Sequence, residues 1–515
     1  MPPSKPSDPP DRANSLVFIH SGDLQIGKPY SSIVDDAKRA RAQQERLEAI
    51  RRIGAVVREQ WARFVVLAGD VFDSPTPAHA TISAALGAFA AIGVPIYAIP
   101  GNHDHAGPDS VWETAFFRRE RERVAPHFHL LDSPAVTVVN LEVGGVGPAS
   151  VVLLPCPLLR RHHADDPTAW VRSLDFSALG DSPRIVIAHG STAVFSGAFH
   201  IDDDGEAGRP ANSIAIDRLP IEHVDYVALG DWHGFMAVGP KAWYSGTHEI
   251  DRFPKPGQEP GHVACVTVGR GAPPKVEAVR TGRFRWLSHT ITLDTESEPE
   301  ANLAPAAAGG GASVGTASAG AAASARAGTP ASETVVGGPE SSGPAYLDAW
   351  LTQATQPKAE GEPGFDGSLA RITVTGTVSL AGRQELDRII ESWEARLLRL
   401  DLVDTVRISP TADEIHDLAA RPNDPIISRV ATELVQLLEA GGPQAEIDVV
   451  RQAIFMLHAL AHPNTSGRRN DTPPPESPAR LTDAAPTDSG RSSVDADSPS
   501  TSTRPDSPNT LGVSS

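Results

Sequence analysis

Cysteine is almost missing from this sequence: only Cys156 and Cys265 occur in 515 residues. Two thiols are too few for a disulfide scaffold or for a zinc site built from spaced thiolates. Any bound metal must therefore be held by His, Asp, Asn or Glu. Positive charge is also in short supply, since 64 acidic residues outweigh 45 basic ones and leave a formal net charge of −19. A chain that coats nucleic acid by itself carries the opposite balance. If this chain acts on nucleic acid, metal ions or a partner supply the local positive charge. Long hydrophobic runs are lacking as well. The opening MPPSKPSDPPDRANSLVFIH is polar and Pro-rich, with no stretch suited to a signal peptide or a membrane span. The expectation is a soluble, cytoplasmic protein with no membrane partner.

What is present is organised in blocks. From Leu16 to Leu293, short apolar runs alternate with longer amphipathic stretches, which is the pattern of an α/β fold with added β-structure. Leu16–His20, Phe64–Ala68, Pro95–Ile99, Ile185–Ala188 and Tyr226–Leu229 read as buried strands. Asp35–Gln60 and Ala78–Ile92 read as helices. Residues 298–344 are dominated by Ala, Gly, Ser, Pro and Thr and read as a disordered linker. Residues 1–15 and 464–515 share that polar, low-complexity character and are expected to be disordered too. The segments FRWLSHTITL, ARITVTGTVSL and DLVDTVRIS read as strands, with Gln384–Leu400 as a helix, so residues 346–410 together with 284–293 are expected to form a small α+β domain. Asp424–Ala440 and Gln444–Ala461 read as a helical pair with apolar stripes at Val430, Leu434, Leu437, Leu438 and at Val450, Ile454, Leu457, Leu460. Such stripes either pack on their own domain or dock a partner.

The chemistry sits at the strand ends. GDLQ (22–25), GDVFD (69–73), GNHD (101–104), AHG (188–190) and GDWHG (230–234) follow the five predicted strands in order. Taken singly, GNHD is a polar turn, GDVFD a helix cap and His189 a core histidine. Five together, each closing a strand, point to one crevice where the strand ends converge. Residues two apart in an extended segment share a side, so Asp23 with Gln25, and Asp231 with His233, each present paired ligand-type side chains. Asp70 is the natural carboxylate to bridge two ions about 3.5 to 4 Å apart.

HSGDLQIG, LAGDVFDS, IPGNHDH, IAHG and ALGDWHG, in that order, resemble the motif series of the calcineurin-like metallophosphoesterases. Together with AWYSGTHEIDRF they are similar in particular to SbcD-like nuclease subunits of DNA repair exonucleases. The resemblance is strong over 16–293 and weak over 346–461. It implies a metallophosphoesterase β-sandwich with flanking helices, followed by the small α+β cap and C-terminal helices. It also implies two divalent metal ions, one held by Asp23, Gln25, Asp70 and His233, the other by Asp70, Asn102, His189 and Asp231. Gln25 and Asp231 stand where the family usually has His, so the donors are richer in oxygen and favour Mn²⁺ or Mg²⁺ over zinc. His103 is implied as the general acid, with Asp73 and Asp104 orienting the reacting groups. The implied function is DNA exo- or endonuclease action in repair alongside an SbcC-like SMC-type ATPase. A small-nucleotide phosphodiesterase or phosphatase, and a binding scaffold disabled by the Gln25 and Asp231 exchanges, are the alternatives. The oligomeric state is open, a homodimer included. His20, His79, His105 and His248 receive no role, and the run Asp202–Asp204 reads as a solvated loop.

Overall fold

The structure is a computed structural model that describes residues 15–141, 150–192, 212–254, 258–294, 343–358 and 362–461. The expectations for residues 1–14, for most of the linker, for Asp202–Asp204 and for the tail lie outside the described residues.

Two six-stranded sheets face each other. The first carries Ser15–Ser21 at its centre, with Val65–Ala68, Ile96–Ile99 and Phe128–Leu130 parallel to it on one side; on the other, His262–Gly269 pairs antiparallel with it and Lys275–Arg280 pairs antiparallel with His262–Gly269. The second sheet carries Arg184–His189 and Tyr226–Gly230 in parallel at its centre. Ser150–Cys156 and Ala242–Tyr244 flank them, and Thr137–Asn140 and Met236–Gly239 form the edges. Burial explains the central strands: every residue of Val65–Ala68, Ile96–Ile99 and Tyr226–Gly230 is buried, as strands covered on both faces require. Between the sheets, Phe18 stacks on Phe64 with ring centroids 5.0 Å apart and meets Tyr226 edge-on at 5.5 Å.

The outer face of the first sheet is covered by helices Asp36–Gln60, His79–Ala90 and Ala115–Val124. The first of these begins where the Asp35 carboxylate accepts from the Lys38 backbone N–H, and it stops where Trp61 turns left-handed at φ 55°. Ala42, Arg46, Ala49, Ile50, Ile53 and Val57 form its buried face at helical spacing.

A third sheet follows. Arg285–Leu293, Ser368–Val378 and Arg399–Asp404 run parallel, and Arg407–Ile408 pairs parallel with the middle strand. Helices Pro344–Ala354 and Leu380–Arg396 connect the three main strands and pack with the sheet around Trp350, Leu386, Ile390 and Trp393. This domain is therefore a parallel strand-helix-strand-helix-strand unit, more regular than the mixed α+β expectation. Parallel pairing demands a crossover, and the helices at Pro344 and Leu380 lie in the two crossovers. Tyr30, Ile33 and Ile250 of the sandwich bury against Phe284, Trp286, Leu369 and Leu398, which fastens the third sheet beside the loop that follows residue 25. Helices Pro425–Ala440 and Gln444–Ala461 close the chain's described part. Their Ala431, Ile454 and Leu457 pack with Leu380 and Leu418, so most of the two stripes is ordinary core. Among the described residues no helix is long and apolar enough to cross a membrane.

Candidate metal centre

Loops at the carboxyl ends of the central strands of both sheets meet at one place. The five motifs converge across two facing sheets rather than along the edge of a single α/β sheet. Asp23, Asp70 and His189 come together with ligand atoms all within 4.8 Å of one another, and all three are buried. The local backbone is built for this. Asp23, Gln25, Asp70 and Asp231 adopt positive φ (53°, 40°, 53° and 104°), a region side chains other than glycine rarely enter. Close approach also demands glycine at one point: a Cβ on Gly101 would run into the Asp70 carboxylate.

His189 is aimed by its Nδ1, which donates to the Ala68 carbonyl at 2.8 Å and so points Nε2 at the carboxylates. Nε2 lies 3.5 Å from Asp70, 3.9 Å from Asp231 and 2.7 Å from the Asn102 amide. Turned over, the same amide would donate to both Asp70 oxygens at 3.2 and 3.3 Å. The Asp231 backbone N–H donates to both Asp23 oxygens, at 3.0 and 3.1 Å. His103 donates its backbone N–H to Asp70 at 2.9 Å and turns Nδ1 to the Asp73 carbonyl at 3.0 Å, leaving Nε2 4.0 Å from Asp70. The buried Asp104 carboxylate accepts from the backbone N–H groups of Gly101 (2.7 Å) and Phe72 (3.0 Å), which ties the third motif loop to the second.

The electrostatics call for a cation. Burial, with Asp70 and Asp231 adding to it against His189, pushes Asp23 up to about 7. Burial pulls His189 down, but Asp70, Asp23 and Asp231 outweigh it and lift the imidazole to about 9. Burial and Asp70 likewise raise Asp104 to about 7. Three carboxylates facing one imidazole are a negative cluster that a divalent ion neutralises. The donors Asp23, Asp70 and His189, with Asn102 and Asp231 beside them, fit such an ion.

Gln25 and His233 face other partners. The Gln25 amide oxygen accepts from the Lys28 ammonium at 2.9 Å. Lys28 also pairs with Asp251 at 3.2 Å and lies 3.9 Å from Asp73. His233 Nδ1 meets Asp251 at 3.1 Å, while the Arg252 guanidinium lies 3.3 and 3.4 Å from the two ring nitrogens. Burial and Arg252 hold His233 down to about 4, so the imidazole is neutral. Burial would raise Asp251, yet His233 and Arg252 outweigh it and keep that carboxylate well below its usual range.

Sequence reasoning missed Lys28, Asp251 and Arg252, and it missed Arg46. That guanidinium is buried beneath the first motif, where it donates to the carbonyls of Asp23 (3.2 Å), Leu24 (2.6 Å) and Glu249 (3.2 Å) and to the Thr247 hydroxyl (3.2 Å). The signal for it was an Arg inside the apolar stripe of an amphipathic helix. A cleft of about 700 Å³ opens over the site, with His103, Asp73, Lys28, Arg161 and Arg252 among its walls.

Residues 16–235 match the family model of the calcineurin-like phosphoesterases. The chain is 34% identical over 98 residues to the uncharacterized metallophosphoesterase YhaO of Bacillus subtilis (strain 168). That similarity covers 18% of this chain and only 24% of the relative's length. A solved structure, that of TT1561 from Thermus thermophilus, is 14% identical and aligns over 52% of this chain and 99% of its own, with a TM-score of 0.31.

Proposed function

We propose that the chain is a metal-dependent phosphodiester hydrolase that acts on DNA as a repair exo- or endonuclease, with Mn²⁺ as its ion and an SMC-type coiled-coil ATPase as its partner. The observation that carries the hydrolase reading is the buried cluster of Asp23, Asp70 and His189, which Asn102 and His103 of the cleft wall contact through His189 and Asp70. A divalent ion there supplies Lewis-acid stabilisation of the negative charge that develops on the phosphoryl oxygens. The chain's own groups do the rest. Burial works against a charged His103, but Asp70 and the Asp73 carbonyl outweigh it and raise its pKa, and the ring is the group placed to protonate the leaving oxygen. The Asp73 carbonyl fixes the ring through Nδ1, which directs Nε2 toward the cluster. Lys28, Arg161 and Arg252 place positive charge around the cleft, where a phosphate would enter. The nuclease reading is supported by the order of the motifs and by the third sheet and helical pair beyond the phosphoesterase domain, which a small-molecule hydrolase does not need. A second reading, a small-nucleotide phosphodiesterase, is favoured by one observation: about 700 Å³ is the size of a nucleotide pocket.

Purified chain with Mn²⁺ is to be offered linear duplex DNA and bis-p-nitrophenyl phosphate. The nuclease cuts both, and Asp70→Ala cuts neither while keeping its far-UV circular dichroism. Hydrolysis of the small ester alone selects the second reading, and near wild-type hydrolysis by Asp70→Ala sinks both.

A further inference from the structure

The first motif carries a cation next to it, because the Lys28 ammonium contacts the Gln25 amide oxygen and the Asp251 carboxylate. On the Asn102 side, the Nε2 of His189 lies 3.5 Å from Asp70, 3.9 Å from Asp231 and 2.7 Å from the Asn102 amide. On the Gln25 side, the oxygen that would complete a second ion site accepts from Lys28 at 2.9 Å. The imidazole that would join it, His233, is pinned between Asp251 at 3.1 Å and the Arg252 guanidinium at 3.3 and 3.4 Å. Asp251, whose side chain is 1% exposed, receives Lys28 at 3.2 Å and Arg252 at 3.4 Å, so both cations are anchored from below by a single buried carboxylate. These are short contacts among part-buried groups, where ion pairs are worth more than at the open surface. A divalent ion bound through Gln25 and the Nε2 of His233 would have to displace Lys28 from the amide oxygen and sit beside the Arg252 guanidinium. Charge repulsion and the loss of paired buried groups both oppose that. An ammonium within hydrogen-bond reach of the amide oxygen supplies positive charge there without any metal.

We propose that this phosphoesterase binds one divalent ion, on Asp23, Asp70 and His189 with Asn102 and Asp231, and that the Lys28 ammonium, held by Gln25 and Asp251, takes the electrostatic place of the second ion of the pair. The exchange of an imidazole for the Gln25 amide then has a reason. An amide oxygen accepts a hydrogen bond from an ammonium, whereas a histidine in that place competes with Lys28 for the proton or for a metal. Lys28 and Arg252 both line the cleft, so the same two cations are placed to contact a phosphoryl oxygen of the substrate. The inference deepens the hydrolase reading and rests on it.

The test is stoichiometry and does not depend on turnover. Full-length protein is loaded with Mn²⁺, freed of excess ion by gel filtration and assayed by elemental analysis, and its low-temperature electron paramagnetic resonance spectrum is recorded. One equivalent per chain with an uncoupled Mn²⁺ signal is expected. The double variant Lys28→Ala/Gln25→His removes the ammonium and restores an imidazole, and it should move the count toward two, with a spin-coupled signal. The single variant Lys28→Gln keeps a polar chain of similar length and should leave one equivalent bound while lowering kcat on bis-p-nitrophenyl phosphate by at least tenfold. Two tight equivalents in the wild-type protein overturn the proposal and leave the hydrolase reading standing. No bound ion at all overturns both. Unchanged kcat in Lys28→Gln overturns the role of the ammonium even if the count is one.

Discussion

At the scale of single residues, the site is an exchange of conformational strain for geometry. Asp23, Gln25, Asp70 and Asp231 all sit at positive φ, at a cost of about 1–3 kcal/mol each for residues with a Cβ. Such backbone persists only where the surroundings enforce it, and here adjoining carbonyls, Gly101 and buried side chains do so. The sequence announced the residue types and their order, because Asp, Asn and His beside Gly at five strand ends have few structural uses in common. It did not announce the left-handed backbone, which depends on how the loops pack. Nor did it reveal that Gln25 faces Lys28, since a contact of three residues along the chain is set by the turn between them. His103 offers the sharpest test at this scale, because its side chain touches the cleft while its backbone N–H serves Asp70. Replacement by Ala keeps the N–H and removes only the imidazole. His103→Ala should retain its bound metal by elemental analysis and lose roughly 10²- to 10⁴-fold in kcat, the usual worth of a general acid. Loss of the metal in that variant would show the imidazole to be a ligand.

At the scale of elements, the central strands were legible because burial on both faces writes itself as short runs of Val, Ile, Leu and Ala. The five predicted strands coincide with five observed ones to within a residue or so. The edge strand Lys275–Arg280 was not legible, since its sequence KVEAVR is half charged and it is exposed along most of its length. The helix Ala412–Ala419 was missed as well, although a Thr411/Glu414 capping box opens it. The helical pair at the end was ambiguous as a surface. Ile454 and Leu457 are buried, whereas Ile426, Val449, Met456 and Leu460 are exposed, at 76%, 69%, 60% and 73%. The core positions and any docking positions are thus different residues. Leu457→Glu should cost on the order of 3 kcal/mol, read as a lower denaturation midpoint, by removing a packed side chain and burying a charge. Leu460→Glu should change stability by about 0.5 kcal/mol or less. If the ATPase docks on this face, Met456→Glu with Leu460→Glu should weaken co-purification of the two proteins without slowing hydrolysis of the small ester. An intact complex would move the docking surface elsewhere on the chain.

At the scale of the whole molecule, burial of titratable groups ties stability to pH in a direction that can be worked out. His20 lies wholly buried on the first central strand, with Nδ1 3.0 Å from the Tyr226 hydroxyl, bridging the two sheets. Burial holds its pKa down to about 3, against a slight rise from the Leu229 backbone, while in the unfolded chain it titrates near the ordinary value of 6.5. The unfolded state therefore takes up a proton that the folded state refuses. Stability from this group is complete above pH 6.5 and is lost progressively as pH falls from there toward 3. Glu249, raised by burial to about 7 and held by the backbone N–H groups of Arg283 and Phe284 and by Arg52, works in the opposite sense. Its contribution is complete below about pH 4.5 and is lost as pH rises through 7. A change at His20 can be separated from the other titrations by comparing variants at two pH values. His20→Asn keeps a polar group near Tyr226 and takes up no proton. It should melt below the wild type at about pH 7.5 because of lost packing, and the gap should narrow markedly at about pH 5, since only the wild type bears the protonation penalty there. Thermal melts in a chelator, with metal linkage removed, measure both differences. An equal gap at the two pH values would mean that His20 carries its proton in the folded protein and that the sheets part around it more than the structure shows.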